Sequence, residues 1–298
     1  MQDIFYITNG VTHDGFGSRM QRCISVMCLV YHLKDLGYNV EYLHTPFSYI
    51  GFNENYDLGL EERSKNGDDY PYNDNSHDGY ISRASKWDEY LGFKGKNIND
   101  VDINSFEIIN DDDPLMGYHI MCSDILNKKN KNKIYVIKML HLEYDNGFLD
   151  IGDFLKYRDK ILGDFSFKKY EYKGNVVSVH IRRKDAINYE TRYIPDSYYI
   201  EILEKLKKSE SEYDITIYTQ KSGFDDSLYS GYKIIYDDTE NDYETFNKLI
   251  FSDYLIVGKS SFSYAAALLN KNTVIYHWSG HKGQNFWINN NEYINLIK

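Results

Sequence analysis

The sequence predicts an α/β protein of two lobes, each a Rossmann-like, doubly wound layer of parallel strands and helices. Three observations predict it. From residue 174 onward, short apolar runs alternate with helical segments in a regular βα rhythm, the pattern of a parallel sheet covered on both faces. The first 43 residues read strand, loop, helix, strand, the opening of another such layer. A chain of 298 residues has the length of about two domains of ordinary size.

Taken in order, Ile4-Phe5-Tyr6-Ile7 is a short apolar run, and a turn-rich stretch with Gly10, Gly15 and Gly17 follows. Residues 20–36 have the length and apolar content of a helix, which Gly37 ends. Residues 39–43 read as a strand. Residues 49–113 are polar and rich in Gly and Asn, and read as long loops or an insertion. A strand is expected over 133–140 and a helix over 154–162. Glu171-Tyr172-Lys173-Gly174-Asn175 reads as a boundary, so the expected domains are 1–172 and 173–298. After the boundary, strands are expected over 176–180, 215–218, 233–236, 254–257 and 273–276, and helices over 197–208, 243–252 and 262–270.

The bulk numbers exclude some partners. A net charge of −11 makes the chain a poor general binder of nucleic acid or anionic membrane, since like charges repel. There is no run of about 20 apolar residues, so no membrane span is expected, and the N-terminus carries no basic leader. Three cysteines, Cys23, Cys28 and Cys122, are too few and too odd for a disulfide framework and fit a reducing, cytoplasmic compartment. Tyrosine, at 30 residues, is so common that a single exposed ring says little.

The chemistry concentrates in Val176-Val177-Ser178-Val179-His180-Ile181-Arg182 and the Arg183-Lys184-Asp185 that follow. Side chains alternate along a strand, so His180 and Arg182 share one face at its carboxyl end, where open α/β sheets bind ligands. Two adjacent arginines in an acidic chain suggest an anion site, because guanidinium forks hold phosphate in a bidentate grip and stay charged. Asp185 is placed to pair with a guanidinium and fix its direction; a strand-end ion pair between Arg183 and Asp185 is the plainer alternative. A second motif, Gly258-Lys259-Ser260-Ser261-Phe262-Ser263-Tyr264, joins an apolar strand to an apolar helix. Ser260 or Ser261 is a natural N-cap, and a helix N-terminus with hydroxyls favours anions. A cap needs one serine; the motif has three.

His-x-Arg-Arg-x-Asp followed by Ser-Ser-Phe-Ser resembles the fucosyltransferase superfamily of α1,2-, α1,6- and protein O-fucosyltransferases, with the α1,2-type members nearest. Ile194-Pro195-Asp196-Ser197-Tyr198-Tyr199 and Asp14-Gly15-Phe16-Gly17-Ser18-Arg19-Met20 resemble that superfamily's segment after the arginine motif and its N-terminal glycine loop. The resemblance covers residues 176–276 and about the first 35 residues. It departs at Lys184, where the pattern has Gly, at Tyr264-Ala265, where it has Trp-Trp, and at Tyr218-Thr219-Gln220, where paired aspartates are usual.

The resemblance implies a two-lobed glycosyltransferase of the B type, transferring fucose from GDP-fucose with inversion to a glycan or other hydroxyl acceptor. It implies no metal and no cofactor beyond the donor substrate. Arg182 would stabilise the departing β-phosphate, His180 would contact the nucleotide, and Asp185 would hold Arg182 and Arg183. Ser260, Ser261, Phe262 and Ser263 would line the pyrophosphate. Gly15, Gly17 and Ser18 would let the N-terminal loop approach the donor. The base that deprotonates the acceptor would be Glu190, with Asp14 the rival. Glu244 or Asp242 would read the guanine.

Other readings stay open. Asp111-Asp112-Asp113 contains an Asp-x-Asp pattern that in another glycosyltransferase architecture holds Mg or Mn; Pro114 and the acidic composition favour a solvated loop. His277 and His281 have a ligand-like spacing, but Ser279 and Gly280 argue against the helix it would need. A transferase for another nucleotide sugar, or a non-catalytic carbohydrate- or nucleotide-binding module, are the alternatives. The sequence specifies neither acceptor nor oligomeric state.

Overall fold

The computed structural model describes residues 4–10, 15–49, 77–110, 121, 123–125, 127, 132–137, 154–170, 174–188, 192–209, 211–236, 242–277, 283 and 287–289. They fall into two compact units, with the chain passing from one to the other between Phe167 and Lys168.

The first unit holds β1 (Phe5–Asn9), α1 (Phe16–Asp35), β2 (Val40–Tyr42), α2 (His77–Leu91), β3 (Glu107–Asn110), β4 (Lys133–Ile137) and α3 (Phe154–Asp164). Its strands form one sheet in the order β2-β1-β4-β3, and every pairing is parallel. α1 starts four residues before the expected 20, with Gly15 in the N-cap position. It is buried almost all round, from Arg19 to Tyr31, because it packs against β1 and β2 on one side and α3 on another. It ends where the sequence says: Gly37 takes φ +86°, and the N–H groups of Gly37 and Tyr38 donate to Lys34 O (2.9 Å) and Leu33 O (3.0 Å).

The stretch 49–113 is not all loop. α2 lies within it, and so does β3. α2 buries Ala84, Trp87 and Leu91, a sparse stripe at helical spacing, and polar neighbours hide that stripe in the sequence. Trp87 stacks on Phe16 of α1, with ring centroids 3.4 Å apart. Asp88 accepts from the main-chain N–H groups of Phe47 (2.6 Å) and Ser48 (2.9 Å), tying α2 to the loop after β2.

The second unit holds β5 (Asn175–Ile181), α4 (Asp196–Lys208), β6 (Tyr213–Thr219), β7 (Lys233–Tyr236), α5 (Asp242–Phe251), β8 (Tyr254–Val257), α6 (Ser261–Leu269), β9 (Thr273–Tyr276) and β10 (Ile288–Asn289). The order across the sheet is β10-β9-β8-β5-β6-β7, with every pairing parallel. The chain steps outward from β5 through β6 to β7, then returns to the other side of β5 and steps outward again. That is the dinucleotide-fold order, and its direction reverses between β5 and β8.

Val177, Val179 and Ile181 of β5 pack with Tyr198, Tyr199, Ile202, Leu203 and Leu206 of α4. Those α4 positions recur every three to four residues, the stripe a helix needs to cover a sheet. The other face of β5 is covered too. Ser178 and His180 are buried, and the His180 ring lies 5.4 Å from Phe262 of α6, which in turn lies 5.3 Å from Phe246 of α5. The α/β class with parallel sheets is thus observed in both units. Among the described residues no helix is long and apolar enough to cross a membrane.

Candidate functional site

The reversal between β5 and β8 leaves a crevice beyond their carboxyl ends, because the connections leaving these two strands turn to opposite sides of the sheet. Register brings the two motifs together there. His180 is opposite Val257 of β8 and Tyr218 of β6, so the chain that leaves β5 as Arg182 runs beside the chain that leaves β8 as Gly258-Lys259-Ser260. Arg182 is half-buried at this edge, while His180 beneath it is sealed between strands and α6.

Gly258 is required by packing. A Cβ built on it would stand 2.1 Å from the Tyr199 hydroxyl and 3.1 Å from Ile194 Cδ1, so α4 can close on β8 only where residue 258 has no side chain. Ser260 follows as the N-cap residue of α6, with φ −140° and ψ 121° and no side-chain capping bond. Its carbonyl accepts from Tyr264 N (2.9 Å). The start of α6 therefore carries the positive end of the helix dipole without a side-chain acceptor from its own cap. Ser261 and Phe262 are partly exposed at this end. Ser263 is fully buried, and its hydroxyl donates to Ser260 O at 3.3 Å. Its side chain holds the turn rather than facing the opening.

The two arginines have different surroundings. Arg183 is 1% exposed. Its Nη2 pairs with the Asp196 carboxylate, its Nη1 donates to the Arg182 carbonyl (3.0 Å), and its main-chain N–H donates to Gln220 Oε1 (2.8 Å). The Tyr193 ring lies 5.0 Å and the Tyr199 ring 5.8 Å from its guanidinium carbon. The Tyr229 hydroxyl donates to the same Asp196 oxygen at 2.6 Å. The described ion-pair partner of Arg183 is thus Asp196 of α4, and this buried arginine spends its described hydrogen bonds inside the protein.

Asp185 contributes its backbone to the 3-10 turn Lys184–Asn188, and its side chain lies outside the described residues. Lys184, where the resemblance has glycine, takes φ 49°, the left-handed region that glycine enters without strain. The turn is held by Lys184 N donating to Ser222 O (2.9 Å). Glu190 and Asp14, the two candidate bases, lie outside the described residues, as do Asp111-Asp112-Asp113 and His281. Glu244 is exposed in the first turn of α5 and pairs with Lys248 at 3.9 Å. Gly15, Gly17 and Ser18 open α1 in the first unit, where Gly17 is buried and Gly15 and Ser18 half-buried. Among the described residues no cluster of three His, Cys, Asp or Glu side chains could hold a metal.

Five residues around this edge carry no role in the sequence reading, although all but Tyr229 lie in segments it names. Asp196, Tyr229 and Gln220 surround Arg183, as above. Lys259 and His277 stand at the ends of β8 and β9, which the register Val257↔Tyr276 places side by side. Burial, and then the nearby Lys259 charge, push the His277 imidazole below its ordinary pKa. Its ring meets Tyr198 edge-on at 4.9 Å.

No family model matches the sequence, and no curated protein matches it. Solved structures do align along nearly its whole length. E. coli heptosyltransferase WaaC with ADP-2-deoxy-2-fluoro heptose aligns at a TM-score of 0.40 and 9% identity, over 97% of this chain and 95% of that one. POFUT1 in complex with GDP-fucose aligns at a TM-score of 0.44 and 10% identity, over 96% of each chain. E. coli ADP-heptose lps heptosyltransferase II aligns at 0.35 and 10%, over 91% of this chain and 83% of that one. With every one of these TM-scores below 0.5, the functional reading stands on the chain's own residues.

Proposed function

We propose that the protein is an inverting glycosyltransferase of the two-lobed B type that binds a nucleoside-diphosphate sugar at the β5–β8 crevice. One observation carries this reading: Arg182 leaves β5 at the point where strand order reverses, next to the Gly258–Ser260 turn that opens α6. Arg182, Lys259 and the start of α6 all follow the carboxyl ends of β5 and β8, where that fold binds phosphates, in a chain whose net charge is −11.

The acceptor oxygen attacks C1 of the sugar from the face opposite the leaving group. The C1–O bond to the diphosphate breaks, its electron pair goes to the β-phosphate, and a carboxylate takes the acceptor proton. The charge appearing on the β-phosphate is what Arg182 and the α6 N-terminus stabilise; loss of one such donor costs about 100- to 1000-fold in rate. The resemblance supports GDP-fucose as the donor and Glu190, or Asp14, as the base, with Ser260 and Ser261 around the diphosphate and no metal required; His180, buried beneath Arg182, would support the strand end from inside. The acceptor is a glycan or another hydroxyl compound.

Thermal shift with GDP, UDP, ADP and CMP, each with EDTA and with Mn, tests the reading. GDP should raise Tm in EDTA, and Arg182→Ala should abolish the shift, each Tm being compared with that of the same protein without nucleotide. Stabilisation by UDP with Mn alone would overturn the GDP assignment, and no shift with any nucleotide would overturn the enzyme. A Glu190→Gln variant with intact GDP binding and near-normal turnover would remove Glu190 from the mechanism.

A further inference from the structure

The peptide unit that joins Arg182 to Arg183 is pinned at both ends. Its carbonyl accepts from Arg183 Nη1 at 3.0 Å, and its N–H donates to Gln220 Oε1 at 2.8 Å. The guanidinium that holds the carbonyl is itself held by the Asp196 carboxylate, which the Tyr229 hydroxyl fixes with a 2.6 Å bond. The Tyr193 and Tyr199 rings flank it. On its other side Arg182 follows β5 directly, and β5 is hydrogen-bonded to β6 and β8. With the strand fixing the chain before Arg182 and the pinned peptide fixing it after, neither backbone angle of Arg182 is free.

A buried guanidinium is a costly way to stabilise a fold, because desolvation offsets much of its ion pairing. Well-packed apolar side chains would hold α4 to β5 as firmly. What apolar packing cannot do is orient a peptide plane. We propose that Gln220, Arg183, Asp196 and Tyr229 are positioning residues that aim Arg182 at the donor diphosphate. This rests on the reading of the crevice as a diphosphate site and adds to it the residues that set the geometry. None of the four needs to touch the ligand.

The test is a double-mutant cycle on GDP affinity, read by calorimetric titration, with Gln220→Ala and Arg182→Ala alone and together. Gln220 is the right member to change, since it sits half-buried in the loop after β6 and its removal leaves the Arg183–Asp196 pair intact. Arg182→Ala should weaken GDP by about 100-fold and Gln220→Ala by about tenfold, while the double variant should bind no more weakly than Arg182→Ala alone. Gln220→Glu, which keeps an acceptor for the Arg183 N–H, should restore most of the affinity. A purely structural role would not be rescued in this way or vanish in the absence of Arg182. Equal losses from Gln220→Ala with and without Arg182 would overturn the inference while leaving the site reading intact, as would unchanged GDP affinity in Gln220→Ala alone. Unchanged GDP affinity in Arg182→Ala would overturn the site reading, and the inference with it.

Discussion

Gly258→Ala is a one-methyl change with a single identifiable obstacle. The added Cβ would meet the Tyr199 hydroxyl at 2.1 Å, Ile194 Cδ1 at 3.1 Å and Tyr199 Cζ at 3.3 Å. The first distance is inside any tolerable contact, and Tyr199 is fully buried, so the ring cannot swing into solvent. Either α4 or the turn from Gly258 to Ser260 must move. Overpacking of this kind costs about 1–3 kcal/mol, and about 2 kcal/mol is expected here. Removing the obstacle should remove most of the cost. Tyr199→Phe alone should cost about 1 kcal/mol or less, and Gly258→Ala added to it should cost under about 1 kcal/mol, because the remaining contacts at 3.1 and 3.3 Å need only a few tenths of an ångström of give. The coupling energy is then at least about 1 kcal/mol. Urea unfolding of the four proteins measures it. Equal destabilisation by Gly258→Ala in both backgrounds would show that the hydroxyl is not what glycine avoids.

Two further outcomes follow from buried groups. His44, buried against Phe93 with centroids 4.5 Å apart, has its pKa lowered to about 3 by burial and by Arg19; since this lies below the unfolded value, its contribution is full above about pH 6.5 and is lost as pH falls toward about 3. From about pH 7.5 to 5 the first unit should lose about 2 kcal/mol in urea unfolding, His44→Phe should flatten that slope, and a slope that survives the substitution would assign it elsewhere; Asp88 and Asp164, whose pKa values are raised by burial, act in the opposite sense at lower pH. Asn270, fully buried at the end of α6, donates to Leu249 O (2.9 Å) and Ser252 O (3.0 Å) and accepts from Asn272 N (2.7 Å); Asn270→Ala should cost about 2–3 kcal/mol by urea unfolding, and a loss under about 0.5 kcal/mol would show that the three bonds are replaceable.

The second unit was legible as far as β9 because each of those strands and helices carries its own signal; the two-residue β10 is too short to show one. Apolar runs such as Tyr254–Val257 are bounded by polar residues, and α4 shows its stripe openly. The order of strands was not legible, since nothing local says that β8 returns to the inside edge of β5, and that order defines the crevice. In the first unit, α2 and β3 were missed because their apolar residues are few and sit among Asn, Asp and Lys. Gly37 was read correctly as a helix stop because a left-handed φ demands little else. The serine run was read as more than a cap, and the structure divides it by position: Ser260 takes the cap geometry without the cap bond, and Ser263 is spent on Ser260 O.

Alternation, the rule that joined His180 to Arg182, also separates Arg183 from them. Val177, Val179, Ile181 and residue 183 are odd-numbered positions and share the α4 face; Ser178, His180 and residue 182 share the other. Continued one step past the strand, the same period sends Arg183 under α4, where Tyr199 and Asp196 meet it. What the pattern could not supply was the carboxylate, 13 positions along the chain and on a helix whose first turn would favour an acid in any case. The pairing also explains why the second residue is arginine. One group must reach Asp196 with Nη2 and the Arg182 carbonyl with Nη1 at once, and a planar fork does this where the single ammonium of lysine does not. The two arginines are therefore not a doubled charge. One spends its hydrogen bonds inside the protein, and by doing so holds the backbone of the other, the half-buried Arg182, at the strand end.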